Sequence, residues 1–255
     1  LFNFDESLLN LDLLGLTEEE KHEIVRAVVQ TVRSRVPVVM GLGGPSTRDV
    51  IRQFSLFDFS GIDAILSVTP YYNRPSQEGL FQHYKAISEA SPVPVILYNV
   101  KSRTACNIEA DTTLRIAREC PNVIAIKEAS GNINQIMRLV KHSPKDFLVI
   151  SGDDAITLPL LAAGVDGLIS VVANAFPDKV SQMVSLGLAG RFEEARILHL
   201  ELLDFTQSCF KEGNPSGIKA ALALQGKISA ALRLPLVPVS EELKVAMSDI
   251  LQKIH

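Results

Sequence analysis

The segment VIAIK (residues 123–127) stands in the middle of a series of short β-branched runs that decides the fold. Five similar runs flank it: VPVVMG (36–41), AILSV (64–68), VPVILY (93–98), FLVIS (147–151) and GLISVV (167–172). The starts of successive runs are 28, 29, 30, 24 and 20 residues apart. This spacing is typical of strands that alternate with helices in βαβ units, so the series predicts a parallel sheet.

The segments between these runs have the pattern of amphipathic helices. In TEEEKHEIVRAVVQTV (residues 17–32), Thr17 is the expected N-cap and Glu20 follows three residues later, which is the pattern of a capping box. Four apolar residues of this segment recur at helical spacing and are predicted to share one face: Ile24, Val25, Val28 and Val32. From about Phe176 onward the pattern is helical throughout.

The composition excludes several classes of protein. With 47% apolar and 21% charged side chains, 255 residues can bury a substantial core, and the chain is not of the disordered class. A formal charge of -4 gives no basic surface for nucleic acid. Three scattered cysteines without a C-x-x-C pair, and five scattered histidines, indicate neither a disulfide framework nor a transition-metal site.

The same features predict where the protein works. No apolar run reaches the roughly 18 residues of a membrane-spanning helix, and the first segment, LFNFDESLLN, lacks the basic start of a signal peptide. We therefore expect a cytoplasmic protein that acts on small molecules, with neither a membrane nor a nucleic acid as its partner.

Six strands with helical crossovers fit either a doubly wound open sheet or most of an eight-stranded barrel. The open sheet would bind a dinucleotide after its first strand, where Gly41-Leu42-Gly43-Gly44 is a partial match, but Ser46 stands where the third glycine is expected. A barrel instead carries its chemistry at the carboxyl ends of many strands. Polar segments follow four successive runs: TPYYNRPSQEG, YNVKSRT, KEASGN and SGDDA.

Lys127 ends the VIAIK run and is the first candidate for chemistry. Strand alternation is expected to place Val123, Ala125 and Lys127 on one face, and Ile124, Ile126 and Glu128 on the other. If the first face lines a barrel interior, burial lowers the pKa of the lysine, and a neutral amine can form a Schiff base with a ketone. The alternative is a lysine at a strand end that reaches solvent or pairs with Glu128.

Tyr98 ends the preceding run, so its phenol is expected to project into the same layer as Lys127 and to carry protons for an iminium reaction. The alternative is a packing tyrosine with a satisfied hydroxyl.

Arg103, five residues further on, has a planar guanidinium that can bind a carboxylate through two hydrogen bonds. The alternative is a loop arginine that points into solvent. Gly152-Asp153-Asp154 suggests Mg²⁺, but an aspartate before the ITLPLLAAG helix is more simply an N-cap, and no metal is expected.

Six motifs in order resemble a known family: SVTPYYNRPSQEGLFQHYKAI, LYNVKSRT, VIAIKEASGN, ISGDDA, GLISVVAN and GNPSGIKAAL. They are similar to motifs of the dihydrodipicolinate synthase and N-acetylneuraminate lyase superfamily of class I aldolases, from about Thr17 to Pro238. The resemblance implies an α/β fold, a (β/α)8 TIM barrel with a C-terminal helical extension. Residues 1–175 would hold most strands, and residues 176–255 the last barrel helices and a C-terminal segment of the same structural unit.

The resemblance also implies an activity, the Schiff-base condensation of pyruvate with L-aspartate 4-semialdehyde, without metal or dissociable cofactor. Lys127 would form the Schiff base and Tyr98 would donate and accept protons. Tyr72, the second tyrosine of TPYYN, would cross a dimer interface to complete the proton relay of a neighbouring subunit, in a homotetramer built as a dimer of dimers.

The remaining site residues implied by the resemblance bind substrate. Arg103 would hold the carboxylate of the semialdehyde, which favours the synthases over lyases of sialic acid or sugar acids. Ile169 would present its backbone carbonyl to the pyruvate pocket, and Gly152 and Asp153 would line it. A related aldolase acting on a sugar acid, and an inactive barrel kept for binding or assembly, remain alternatives.

Three departures from the family pattern stand out. Lys101 replaces a proline in the YNVKSRT loop, which frees a turn and adds a charge. Pro45 and Asp49 stand where lysine-inhibited members often have asparagine and glutamate, so lysine sensitivity is not expected, although Tyr71 fits. A threonine-containing loop expected near the N-terminus is missing. We expect that the chain as given omits segments, with residues 11–15 as the remnant of a strand, because an unclosed barrel would expose unpaired edges.

Overall fold

A computed structural model describes residues 16–254 of the chain. All six runs form strands, which are somewhat shorter than the runs themselves: β1 (Val39–Gly41), β2 (Ala64–Val68), β3 (Val95–Asn99), β4 (Val123–Glu128), β5 (Leu148–Ser151) and β6 (Gly167–Leu168). They form one parallel sheet in the order β1-β2-β3-β4-β5-β6. A doubly wound sheet reverses its strand order at a switch point. The uninterrupted order is that of a barrel wall. Of the two predicted alternatives, the barrel is therefore confirmed and the doubly wound, dinucleotide-binding sheet is rejected.

Helices connect the strands and continue after the last of them. Their bounds are α1 (Glu18–Val32), α2 (Thr47–Gln53), α3 (Gln77–Ala90), α4 (Lys101–Thr104), α5 (Ala110–Glu119), α6 (Ile133–His142), α7 (Thr157–Ala163), α8 (Pro177–Leu188), α9 (Phe192–Glu201), α10 (Leu203–Lys211), α11 (Ser216–Leu224) and α12 (Glu241–Leu251). Short 3₁₀ turns cover Asp154–Ile156 and Val172–Asn174. Helices α8 to α11 confirm the helical pattern predicted from Phe176 as far as Leu224, and α12 follows at Glu241. Residues 225–240 are not helical, so the prediction is wrong there; this stretch contains Gly226, Pro235 and Pro238, which do not favour a helix interior.

Helix α1 begins with the predicted capping box. The Thr17 hydroxyl accepts from the Glu20 backbone N–H at 3.3 Å, and the Glu20 carboxylate accepts from the Thr17 N–H at 2.8 Å. The four apolar residues predicted to share a face are all half-buried, and Val25 among them packs against the main core. Among the helices of residues 16–254, none combines the length and apolarity that crossing a membrane requires.

The sheet separates two apolar clusters. The inner cluster lies on its concave face and consists of Ala64, Leu66, Ile96, Ala125, Ile150 and Ile169. The outer cluster fills the space between the sheet and the helices, and it includes residues from β4, α3, α10 and α12, such as Ile126, Phe81, Phe205 and Met247. Whether the chain is best divided at residue 175 stays a prediction.

Strand β4 corrects the predicted alternation. Strand alternation predicts Val123 on the face of Ala125 and Lys127, but Val123 lies in the outer cluster, and Ile124 packs against the inner one. The reason is a β-bulge. Val95 pairs with Val123 and the next residue of β3, Ile96, pairs with Ala125, so Ile124 is an extra residue. From Ala125 onward the predicted alternation holds. Residues 11–15, predicted as the remnant of a strand, lie outside the described residues.

Candidate active site

A cavity of about 1170 Å³ opens at the carboxyl ends of the strands. Each of the six strands, or the segment directly after it, contributes to its wall: Gly41, Val68, Tyr98, Lys127, Gly152 and Ser170. Parallel strands in chain order bring their carboxyl ends to one edge, which is where barrel enzymes carry their chemistry. The polar segments that follow the strands in the sequence therefore meet in one place.

Lys127 and Tyr98 face each other in this cavity. They are register partners on the neighbouring strands β4 and β3, and the Lys127 Nζ lies 4.2 Å from the centroid of the Tyr98 ring. Only 5% of Lys127 is exposed, so the alternative of a lysine reaching solvent is excluded. Glu128 cannot be its strand-end partner on the same face, because its carboxylate contacts Asn99 and Gln135 on the helical side of β4.

Burial changes the acidity of both groups. Removal from water lowers the pKa of Lys127 to about 7, because the charged form loses hydration, and the negative charge of Asp154 opposes this effect. Burial also raises the pKa of the Tyr98 phenol, against a lowering influence of Arg103. At neutral pH a large fraction of Lys127 is therefore a neutral amine, while Tyr98 keeps its proton.

The GDD segment after β5 places Gly152 close to Lys127 and holds the carboxylates of Asp153 and Asp154 by hydrogen bonds. Gly152 and Asp153 line the cavity. Asp153 accepts from the Ala155 N–H at 3.0 Å and so caps the 3₁₀ turn Asp154–Ile156. The predicted cap therefore belongs to this turn and not to α7, whose own N-cap, Ile156, makes no side-chain hydrogen bond. Asp154 is buried and accepts from the Ser170 hydroxyl and from the Val171 N–H at 3.0 Å. In the described part of the chain no three histidine, cysteine or acidic side chains are grouped to hold a metal ion.

Arg103 reaches the cavity wall from α4, a single helical turn. It is exposed, and its Nη2 donates to the main-chain oxygen of Asn214 at 3.2 Å. The predicted loop is thus helical, with Lys101 as its exposed first residue. The guanidinium stands at the cavity rim, with most of its donors open to a bound anion.

Two predicted site residues, Tyr72 and Ile169, are not among the residues that line the cavity. Tyr72 is 94% exposed with a φ of 71°, whereas its neighbour Tyr71 lines the cavity. Ile169 is 1% exposed in the inner cluster, and Ser170 and Val171 after it form the cavity wall. The structure therefore brings together Lys127, Tyr98, Gly152, Asp153 and Arg103. The roles of Tyr72 and of the Ile169 carbonyl stay predictions.

Sequence reasoning missed two contacts that shape the site. The carbonyl of Asn214 accepts a hydrogen bond from Arg103, which lies 111 residues away in the sequence. The motif GNPSGIKAAL, which contains Asn214, gives no indication of this contact. The hydroxyl of Ser170 holds Asp154 beside Lys127. The only indication of that contact in the sequence is that an aspartate in SGDDA and a serine in GLISVVAN follow successive predicted strands.

Residues 14–254 match the sequence model of the dihydrodipicolinate synthetase family. The chain belongs to this family. A relative from Parabacteroides distasonis named 4-hydroxy-tetrahydrodipicolinate synthase is 55% identical over 223 residues, covering 88% of this chain and 75% of the relative.

Solved structures of the family superpose on the described fold. Dihydrodipicolinate synthase from Thermotoga maritima aligns with a TM-score of 0.90 and 40% identity, over 93% of this chain and 81% of its own. The chloride-inhibited synthase from Acinetobacter baumannii, solved in complex with pyruvate, aligns with a TM-score of 0.90 and 37% identity, over 94% and 82%. The family fold, a barrel with C-terminal helices, is therefore that of this chain.

Proposed function

We propose that the protein condenses pyruvate with L-aspartate 4-semialdehyde to form 4-hydroxy-tetrahydrodipicolinate, a step in lysine and diaminopimelate biosynthesis. The observation that carries the proposal is the buried amine of Lys127, with a pKa of about 7, facing the phenol of Tyr98 in the cavity. The names of the family relatives support the choice of reaction.

Lys127 begins the reaction as a neutral amine. Its Nζ attacks C2 of pyruvate to form a carbinolamine, which loses water to give an iminium ion. Loss of a proton from C3 turns the iminium into an enamine, and C3 then bonds to the aldehyde carbon while the aldehyde oxygen takes a proton. The amino group of the bound product attacks the iminium carbon, closes the ring and releases Lys127.

Tyr98 carries the protons of these steps. Formation and dehydration of the carbinolamine, and formation of the enamine, each move a proton to or from an atom near Nζ. A phenol that keeps its proton at neutral pH can donate it and then recover it. The nearness of the ring to Nζ and the raised pKa of the phenol support this role.

Arg103 selects the aldehyde. A guanidinium at the cavity rim can bind a carboxylate through two parallel hydrogen bonds, and the semialdehyde carries such a carboxylate. Binding at the rim would leave the aldehyde carbon directed toward the enamine on Lys127. Gly152 and Asp153 line the pyruvate end, and the carbonyl of Ile169 would accept a hydrogen bond there.

The proposal includes the setting of the reaction. The iminium on Lys127 is itself the electron sink, so the chemistry requires neither a metal nor a dissociable cofactor. We place the enzyme in the cytoplasm as a homotetramer, a dimer of dimers, in which Tyr72 enters the site of a neighbouring subunit. The exposure of Tyr72 at the surface supports that arrangement.

Borohydride trapping tests the reaction at its first covalent step. The protein is incubated with pyruvate and borohydride, digested, and the peptide carrying Lys127 is weighed. We expect a reduced pyruvate adduct on Lys127 and not on the exposed Lys101. An unmodified Lys127 in folded protein would refute the mechanism. Product formation with aspartate semialdehyde, compared with sugar-acid aldehydes, then separates the synthase from a related aldolase.

A further inference from the structure

A buried polar network lies directly behind the reactive pair. Asn99 follows Tyr98 on β3, Glu128 follows Lys127 on β4, and the two are themselves register partners. Both have no exposed surface. Because side chains alternate along a strand, Asn99 and Glu128 point to the helical side of the sheet while Tyr98 and Lys127 point into the cavity.

The carboxylate of Glu128 accepts hydrogen bonds from three neutral groups. The Asn99 amide donates to both of its oxygens at 3.1 and 2.9 Å, and the Gln135 amide donates at 2.9 Å. The Ser130 backbone N–H donates at 2.7 Å. A buried carboxylate is costly unless donors surround it, so these contacts fix its position closely.

Two further amides close the network and join it to the helices. Asn107 accepts from Asn99 at 3.0 Å and donates to the Gln135 side chain at 3.0 Å. Gln135 lies in α6 and also donates to the Ile108 carbonyl at 3.1 Å, while the Ile108 N–H donates to Asn99 at 3.2 Å. The carboxyl ends of β3 and β4 are thereby tied to α6 and to the segment before α5.

Main-chain contacts carry the constraint to the cavity side. The carbonyl of Glu128 accepts from the Gly152 N–H at 2.9 Å, and the carbonyl of Asn99 accepts from the Ala129 N–H at 2.9 Å. Gly152 and Ala129 both line the cavity beside Lys127. Rotation or sliding of either strand end would move Lys127, Tyr98 and Gly152 together, and the network opposes that movement.

We propose that Glu128 and Asn99 are positioning residues, which hold the Lys127 amine and the Tyr98 phenol at the distance the reaction needs. Neither side chain enters the cavity, so they act through their strand neighbours and not on the substrate. This inference rests on the proposed function, because the positioned groups are those of the proposed reaction. It assigns no step of that reaction to either side chain.

The test compares Glu128→Gln with a control at Asn122, directly before the start of the same strand. Gln has the shape of Glu, but its amide group meets donors where the network needs an acceptor. The control is Asn122→Ala, which removes three contacts of 3.2 Å from the Asn122 amide to the Ser88, Ser91 and Val93 carbonyls at the opposite end of β4. Melting temperature, and the rate of pyruvate trapping on Lys127 per folded molecule, are measured for both.

We expect both variants to lower the melting temperature, but only Glu128→Gln to slow trapping, by about 10- to 100-fold, as a displacement of about 1 Å does. The midpoint of its trapping rate against pH should also rise, because a loosened strand end admits water and returns the lysine toward its ordinary pKa. Equal rates per folded molecule and an unchanged midpoint would overturn the proposal. Gln135→Ala, which removes one donor to Glu128 together with the Gln135 contacts to Asn107 and Ile108, gives the same comparison if Glu128→Gln does not fold.

Failure of the proposed function has a different signature. If the wild-type protein traps no pyruvate, that function is wrong, and positioning is then judged by labelling of the Lys127 amine with acetic anhydride across pH. A labelling midpoint that rises in Glu128→Gln but not in Asn122→Ala supports the positioning role without reference to pyruvate. The same midpoint in both variants overturns it.

Discussion

Gly152 packs so closely against Lys127 that a β-carbon at position 152 would lie 2.8 Å from the Lys127 Cε. The same atom would lie 2.8 Å from the Ala129 Cβ. The space beside the lysine therefore admits no side chain at all. The stem of the reactive amine is confined from this direction by the main chain of the segment after β5.

Gly152→Ala is expected to slow the trapping of pyruvate on Lys127 by about tenfold or more, because the added methyl group displaces the lysine stem and a small displacement is costly to the reaction. The rate is measured by quenched-flow trapping with borohydride. Gly167→Ala is the control, since a β-carbon there meets nothing within 4 Å. Equal rates in the two variants would contradict the prediction.

The trapping rate should rise with pH through about 7 and then level off. The neutral amine is the nucleophile, and burial lowers the pKa of Lys127 to about 7. At lower pH the amine is protonated and unreactive, while above the midpoint it is already neutral. Trapping at saturating pyruvate across pH 5 to about 10 checks this. A rate that keeps rising to about pH 10, as for an exposed lysine, would show that the amine is not desolvated.

Asp154→Asn should move that midpoint to lower pH by about half to one pH unit, because the buried carboxylate favours the ammonium form of Lys127. The asparagine can still accept a hydrogen bond from Ser170. Asp166→Asn is a suitable control, since its carboxylate accepts from the Val149 N–H at 2.7 Å at the other end of β5. An identical midpoint in wild type and Asp154→Asn would mean that the carboxylate does not act on the lysine.

Arg103→Ala should raise the KM for aspartate semialdehyde by about tenfold or more, through loss of a charge-assisted pair with its carboxylate. Trapping of pyruvate alone should change little, because Arg103 stands at the rim of the cavity. Steady-state kinetics with both substrates separate the two effects. Arg138→Ala is the control, as that exposed arginine pairs with Asp111 on the helical surface. An unchanged KM would assign the carboxylate to another group.

Much of the fold could be predicted because parallel strands buried on both faces need continuous apolar runs. The six runs are short, rich in β-branched residues and regularly spaced, which favours strands over helices. The pairing of Tyr98 with Lys127 followed from their equal positions at the ends of successive runs. The bulge at Ile124 could not be predicted, because VIAI is apolar throughout and either face accepts each of its side chains. The contacts of Arg103 with Asn214, and of Glu128 with Gln135, depend on how loops and helices pack, which leaves no local trace in the sequence.

The order of the six strands places Lys127 and Tyr98 on the two central ones, with two further strands on either side. Because β3 and β4 are each paired on both sides, their amide protons should exchange with deuterium slowly. Arg103, on a helix of one turn, should belong to the segment that exchanges early. Lys127 thus lies on a strand paired on both sides, whereas Arg103 lies on an exposed helix of a single turn. Under the proposed function, substitutions in that short helix would change which aldehyde is accepted and would leave Lys127 and Tyr98 in place.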